Sequence, residues 1–185
     1  MKKLALKRNF LFALLLILIF ACVAEAKNAK AANIAALFTR VNPSLSAKKA
    51  QDYATVVIQA GEKFKQDPYV IAALIVHEST VNNKAVSKGG DYGLMQIRWK
   101  VHAKAIKQRF PKVKKASDMF DARTNIFYGT EILSDCVNKS GGDWRGGILR
   151  YSAGNKKLLS KVTAMVNELN GSAKKKVTAK TKKKK

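Results

Sequence analysis

From Tyr69 to His77 the chain reads Tyr-Val-Ile-Ala-Ala-Leu-Ile-Val-His, with polar atoms only on the phenol at one end and the imidazole at the other. A helix that is apolar on nearly every side has no face for water and belongs in the middle of a domain. Asp67-Pro68 stands directly before it. Asp suits an N-cap, and Pro at the first helical position gives up no needed donor. The run therefore predicts a buried helix over Pro68 to about Ser79, around which the remaining chain must pack. Glu78 closes the run. Where water is scarce the charged form of a carboxyl is penalised, so its pKa rises toward that of a general acid usable near neutral pH. The ordinary alternative, a solvated or capped helix-end glutamate, is weakened by the apolar residues before it.

The first 26 residues read as an export leader. Lys2, Lys3, Lys7 and Arg8 precede an unbroken apolar stretch from Phe10 to Ala24, and Ala24-Glu25-Ala26 offers small residues at a cleavage site before Lys27. The stretch is short for a spanning helix, which needs roughly 20 residues. Membrane anchoring through residues 10–24 is the alternative, and lipid modification of Cys22 a third, which Phe20 fits poorly. Removing 26 residues from 185 leaves 159, enough for one domain with a core, placed in the periplasm or cell envelope. Cys136 is then the one cysteine left, so no intrachain disulfide can form. Two histidines without a cysteine pair give no metal site, and no cofactor is expected.

The formal net charge is +24, and eight lysines fall between Lys174 and Lys185 with no aromatic among them. Such a run reads as a solvated, disordered tail over 172–185. It would hold anionic envelope polymers by charge alone. Export and the lack of interleaved stacking residues argue against nucleic acid as a partner.

Between leader and tail the signals are helical. Residues 27–45 read as a linker or an N-terminal helix ending at Asn42-Pro43-Ser44. Ser46 caps a helix with Ala50, Tyr53, Ala54, Val57, Ile58, Gly61 and Phe64 at three- and four-residue spacing. A loop follows Ser79, and residues 92–98 are a short strand or irregular segment. Further helices are expected over Val101–Phe110, after an Asp121 cap, over Trp144–Tyr151 and over Leu158–Leu169. The fold class is mainly α, a single domain spanning 46–171.

Three blocks carry a resemblance. Glu78-Ser79, Asn82, Ala85-Val86-Ser87, Gly90 and Gly93-Leu94-Met95-Gln96-Ile97 are similar to the signature of the soluble lytic transglycosylase family. Asn125-Ile126, Gly129 and Leu133 resemble its mid-domain helix, and Tyr151-Ser152-Ala153-Gly154 its closing Tyr-Asn-Ala-Gly motif. The likeness covers roughly residues 50 to 170 and implies a goose-type lysozyme-like fold. It also implies cleavage of peptidoglycan glycan strands between N-acetylmuramic acid and N-acetylglucosamine.

In that scheme Glu78 protonates the bridging oxygen and then accepts the proton of the muramoyl C6 hydroxyl, which closes a 1,6-anhydro ring. One carboxyl suffices, whereas ordinary glycosidases use a pair. Asp91, Asp118 and Asp121 are weak candidates for a partner, the first in a loop and the others at helix starts. By the same resemblance Ser79 orients Glu78 or the substrate, Gly93, with no side chain, lets backbone pass close to a sugar, and Leu94 beside it counts among the substrate-binding or orienting residues. Met95 packs on a sugar face, Gln96 bonds an acetamido group or Glu78, and Tyr151 donates its hydroxyl to Glu78. Ser152 departs from the family asparagine, a loss for which Asn155 could compensate; Asp91 departs from the small residue often found there. His77 reads as a buried, satisfied imidazole and His102 as lying on an exposed basic helix. Trp99, Trp144, Tyr92 and Tyr128 are read equally as groove lining or core. Two alternatives stand beside this reading: a lysozyme-type hydrolase of the same bond and a non-catalytic peptidoglycan-binding module. Service to a wall-spanning secretion or flagellar apparatus fits the small size.

Overall fold

A computed structural model describes the backbone of residues 2–182 and the side chains of Ile17 and of residues 21–172. Among the described residues the fold is mainly α. The elements run α1 (Lys2–Val41), α2 (Ala47–Phe64), α3 (Pro68–Ser79), β1 (Asp91–Tyr92), β2 (Ile97–Arg98), α4 (Trp99–Arg109), a 3-10 turn (Ala116–Phe120), α5 (Ala122–Asn138), α6 (Trp144–Tyr151) and α7 (Lys156–Lys182). The short-strand expectation for 92–98 is met by β1 and β2, antiparallel with Asp91 opposite Arg98 and Tyr92 opposite Ile97.

The caps follow from the local sequence. Ser46 accepts from the Lys49 N–H at 3.3 Å, Asp67 from Tyr69 at 3.0 Å, and Asp121 from Thr124 at 2.8 Å. Asp143 caps α6 through the Arg145 and Gly146 N–H groups, each at 3.0 Å. Each cap occupies donors that the first helical turn cannot satisfy itself.

α3 is the axis of the domain. Every residue from Tyr69 to Val76 is buried, and α1, α2 and α7 pack around it. Residues 27–41, expected as linker or helix, belong to α1, whose Ala31, Ile34, Leu37 and Phe38 face the core. The expected leader boundary at 26/27 falls inside α1, and the expected tail boundary at 171/172 inside α7. Most of the apolar run 10–24 and the lysines from 174 onward lie outside the residues whose side chains are described. Among the described residues no helix is long and apolar enough to cross a membrane.

Two glycines let the β hairpin close against α5. Gly93 has φ +77°, and a Cβ there would collide with the Asn125 amide and the Met119 carbonyl. At Gly129 a Cβ would meet Met95 Sδ at 2.5 Å, so Met95 seats where any other residue would intrude. Asn125, fully buried, locks this contact. It accepts from the Met95 N–H at 2.8 Å and donates to the carbonyls of Tyr92 at 2.8 Å and Met119 at 3.0 Å.

Candidate active site

Where α3 ends, the hairpin, α4, α5, the end of α6 and the start of α7 leave a cavity of about 520 Å³. His77 and Glu78 come from α3, Asp91, Gln96 and Arg98 from the hairpin, and Val101 and His102 from α4. Ile132, Tyr151 and Ser152 close one side, with Asn155 and Leu158 from the start of α7. α3 stops here because Thr80 is left-handed, φ 51°, its N–H bonding back to Val76 O. Thus the buried helix delivers its last carboxylate directly to the cavity wall.

The Glu78 carboxyl is pushed up from 4.5 to about 7, first by burial and second by the negative charge of Asp91. Among the described residues none donates a hydrogen bond to it. Burial without a donor is the arrangement that favours the protonated, neutral acid.

Of the residues expected at the site, Glu78, Gln96, Tyr151 and Asn155 line the cavity, and Ser79, Gly93, Leu94 and Met95 stand behind it. The contacts of the supporting residues differ from those expected. Ser79 is buried and its hydroxyl donates to Ile75 O at 3.1 Å, the usual back-bond of a serine within a helix. Gln96 Nε2 donates to Gly93 O at 2.9 Å and Ala85 O at 3.3 Å, so it ties the hairpin to the preceding loop. Met95 is fully buried against Gly129 and presents no face to a sugar. Tyr151 donates its hydroxyl to Met95 O at 2.7 Å. Burial, and secondly the Glu78 charge, raise the Tyr151 pKa, so it remains a neutral donor. Asn155 caps α7 by accepting from the Leu158 N–H at 3.0 Å, while Ser152 donates to Ile148 O at 2.7 Å.

The imidazoles also depart from expectation. His77 is half-buried with Nε2 enclosed and without a hydrogen-bond partner. His102 Nδ1 sits 3.2 Å from the Tyr128 hydroxyl, its ring edge-on to the tyrosine, because that face of α4 packs on α5. Burial lowers the pKa of both. Trp99, Trp144 and Tyr92 are packed against the core and Tyr128 lies within it; the cavity's phenol is Tyr151.

The family model described as Transglycosylase SLT domain matches residues 55–173, which begin within α2 and end within α7. The chain belongs to that family. Similar proteins include the endo-type membrane-bound lytic murein transglycosylase A of Klebsiella pneumoniae subsp. pneumoniae, 32% identical over 102 residues, or 52% of this chain and 49% of that protein. The protein of the same description from Salmonella enteritidis is 30% identical over 99 residues, with 52% and 49% covered. The chain thus spans about half the length of the curated relatives it matches.

Within this SLT domain, one feature of the cavity was not found by reading the sequence. Asp91, treated there as a loop residue, is clamped by Arg98, with Nε to Oδ1 at 2.7 Å and Nη2 to Oδ2 at 3.1 Å. Ser87 adds a third bond, Oγ to Oδ2 at 2.8 Å. The signal was present. Two residues flanking a tight turn between antiparallel strands face each other, and Asp91 and Arg98 bracket Gly93-Leu94-Met95-Gln96 symmetrically.

Proposed function

We propose that this protein is a peptidoglycan lytic transglycosylase acting on the bond between N-acetylmuramic acid and N-acetylglucosamine, with Glu78 as its acid and then its base. The feature that carries the reading is the Glu78 carboxyl on the cavity wall, its pKa pushed up to about 7 by burial and, unlike Asp91, without a donor among the described residues. Family membership and the names of the relatives support the substrate class.

Protonated Glu78 gives its proton to the bridging oxygen as the bond from C1 breaks, releasing the N-acetylglucosamine side. The resulting carboxylate takes the proton of the muramoyl C6 hydroxyl. That oxygen bonds to C1 of its own ring, Glu78 returns to the acid form, and no water is consumed. The nucleophile is tethered to the electrophile, so the step gains from proximity. Asp91 is poorly placed to serve as a water-activating base, because both its oxygens are engaged by Arg98 and Ser87. This favours anhydro formation over hydrolysis. Export by the leader over 1–26 places the enzyme at the cell envelope, and the lysines after residue 173 would hold it to anionic polymers there. Ser79, Gly93, Leu94 and Met95 serve the reaction from behind the wall and Gln96 from within it, by fixing where α3 ends and where the hairpin stands.

Mass spectrometry of digested sacculi tests the reading. Anhydro ends weigh one water less than reducing ends, and a product set with reducing ends alone would overturn it. In parallel, Glu78→Gln is expected to lower turnover roughly 10²–10⁴-fold, the usual contribution of a general acid–base group.

A further inference from the structure

Resting on the assignment of Glu78 as the acid, we infer that Asp91 is a positioning residue of this site: fixed by Arg98 and Ser87, it supplies a standing negative charge in the cavity that keeps Glu78 in its proton-donating form. The geometry makes Asp91 a rigid charge. Its side chain is 18% exposed, it takes three side-chain hydrogen bonds, and it stands opposite Arg98 in the paired strands of the hairpin. Ser87 is itself fixed by accepting from the Asp91 and Gly89 N–H groups, each at 3.1 Å. A carboxylate bonded at both oxygens is held in one orientation toward its neighbours.

Among the described residues, the other titratable groups around Glu78 come from α3, the hairpin, α4, α6 and α7. From α3 comes His77, with Lys161 of α7 beside it. The hairpin gives Asp91 and Arg98, α4 gives His102 and α6 gives Tyr151, while α5 and the start of α7 contribute Ile132, Asn155 and Leu158. Burial favours the neutral form of both histidines and of Tyr151. Apart from Glu78 itself, the ionised groups lining the cavity at neutral pH are therefore Asp91 and Arg98. The Arg98 side chain is 56% exposed, so solvent weakens its charge, which offsets that of Asp91 only in part, and the negative charge prevails at Glu78. Arg98 in turn holds Asp91 well into its ionised form, with Ser87 assisting. The pair thus separates two carboxyls by role: one kept charged by an arginine, the other kept neutral by burial and by that charge.

The test compares Asp91→Asn with Arg98→Gln. Glu78 is titrated by NMR of ¹³C-labelled carboxyl groups, and the pH profile of kcat/KM on sacculi is recorded alongside. Asp91→Asn removes the charge and should lower the Glu78 midpoint by on the order of one unit, about a fivefold loss of protonated acid at pH 7. Arg98→Gln leaves the Asp91 charge unneutralised and should move the Glu78 midpoint upward. A merely structural ion pair predicts lower activity in both variants with the Glu78 midpoint unmoved, or moved in the same direction in both, and either result overturns the proposal. The NMR titration reads Glu78 without substrate, so it stands even if the sacculus products contradict the proposed reaction.

Discussion

Replacing Glu78 by Gln removes the proton-donating group and, above neutral pH, should make the protein more stable. The carboxyl is shifted from 4.5 to about 7 by folding. Between those values the unfolded chain releases this proton while the folded chain retains it. Stability therefore falls as pH rises through that window and levels off above about 7. A shift of this size corresponds to about 3 kcal/mol, or roughly 2–3 once the partial exposure of the side chain is allowed for. Glutamine has nearly the same shape and cannot ionise, so the variant escapes the penalty. For a chain of this length the gain corresponds to about 5–10 °C in Tm at pH 8, with little difference at pH 4. Thermal unfolding of both proteins followed by circular dichroism at the two pH values measures the difference of differences, in which pH-independent effects of the substitution cancel. An equal Tm offset at pH 4 and pH 8 would refute the claim that this acid is buried against its charge.

Asn125→Ala should cost upward of 3 kcal/mol in urea unfolding, since it leaves the Met95 N–H and two carbonyls unpaired inside the domain. Gly93→Ala, at φ +77° with the Asn125 amide in the way, should destabilise by a comparable amount and disorder the hairpin, seen as loss of the dispersed Tyr92 and Ile97 amide resonances. Tyr151→Phe strands the Met95 carbonyl and should lower stability by about 1–3 kcal/mol while leaving far more activity than Glu78→Gln, measured by sacculus turbidity. Activity itself should fall as pH rises through about 7, where Glu78 loses its proton, and a rate that keeps rising to pH 9 would contradict the assignment.

Much of the architecture was legible because helix starts are local. Asp67-Pro68, Ser46 and Asp121 each place a side-chain oxygen beside unsatisfied N–H groups, and all three caps form as read. The position of Glu78 was legible for a related reason, since a helix apolar on all sides must be buried and its last residue must meet whatever surrounds it. The partners of the supporting residues were not legible. Ser79, Gln96 and Tyr151 were expected to serve Glu78, yet each donates to a main-chain carbonyl: Ser79 and Gln96 to local ones, and Tyr151 to Met95 O, which packing alone brings near. Buried carbonyls need donors, and that demand outweighs a side chain's proximity in sequence to the acid.

Sequence alone determined a mostly helical domain, a buried central helix and an acid at its end, since propensity, capping and hydrophobic period act over a few residues. Tertiary structure decided how that acid behaves. Asp91 reaches the cavity only because a hairpin closes over position 93, that position must be glycine because Asn125 of α5 leaves no room for a Cβ, and Arg98 then pins the charge in place. Electrostatic coupling depends on distance through space and on excluded water, and neither is written in the order of the residues.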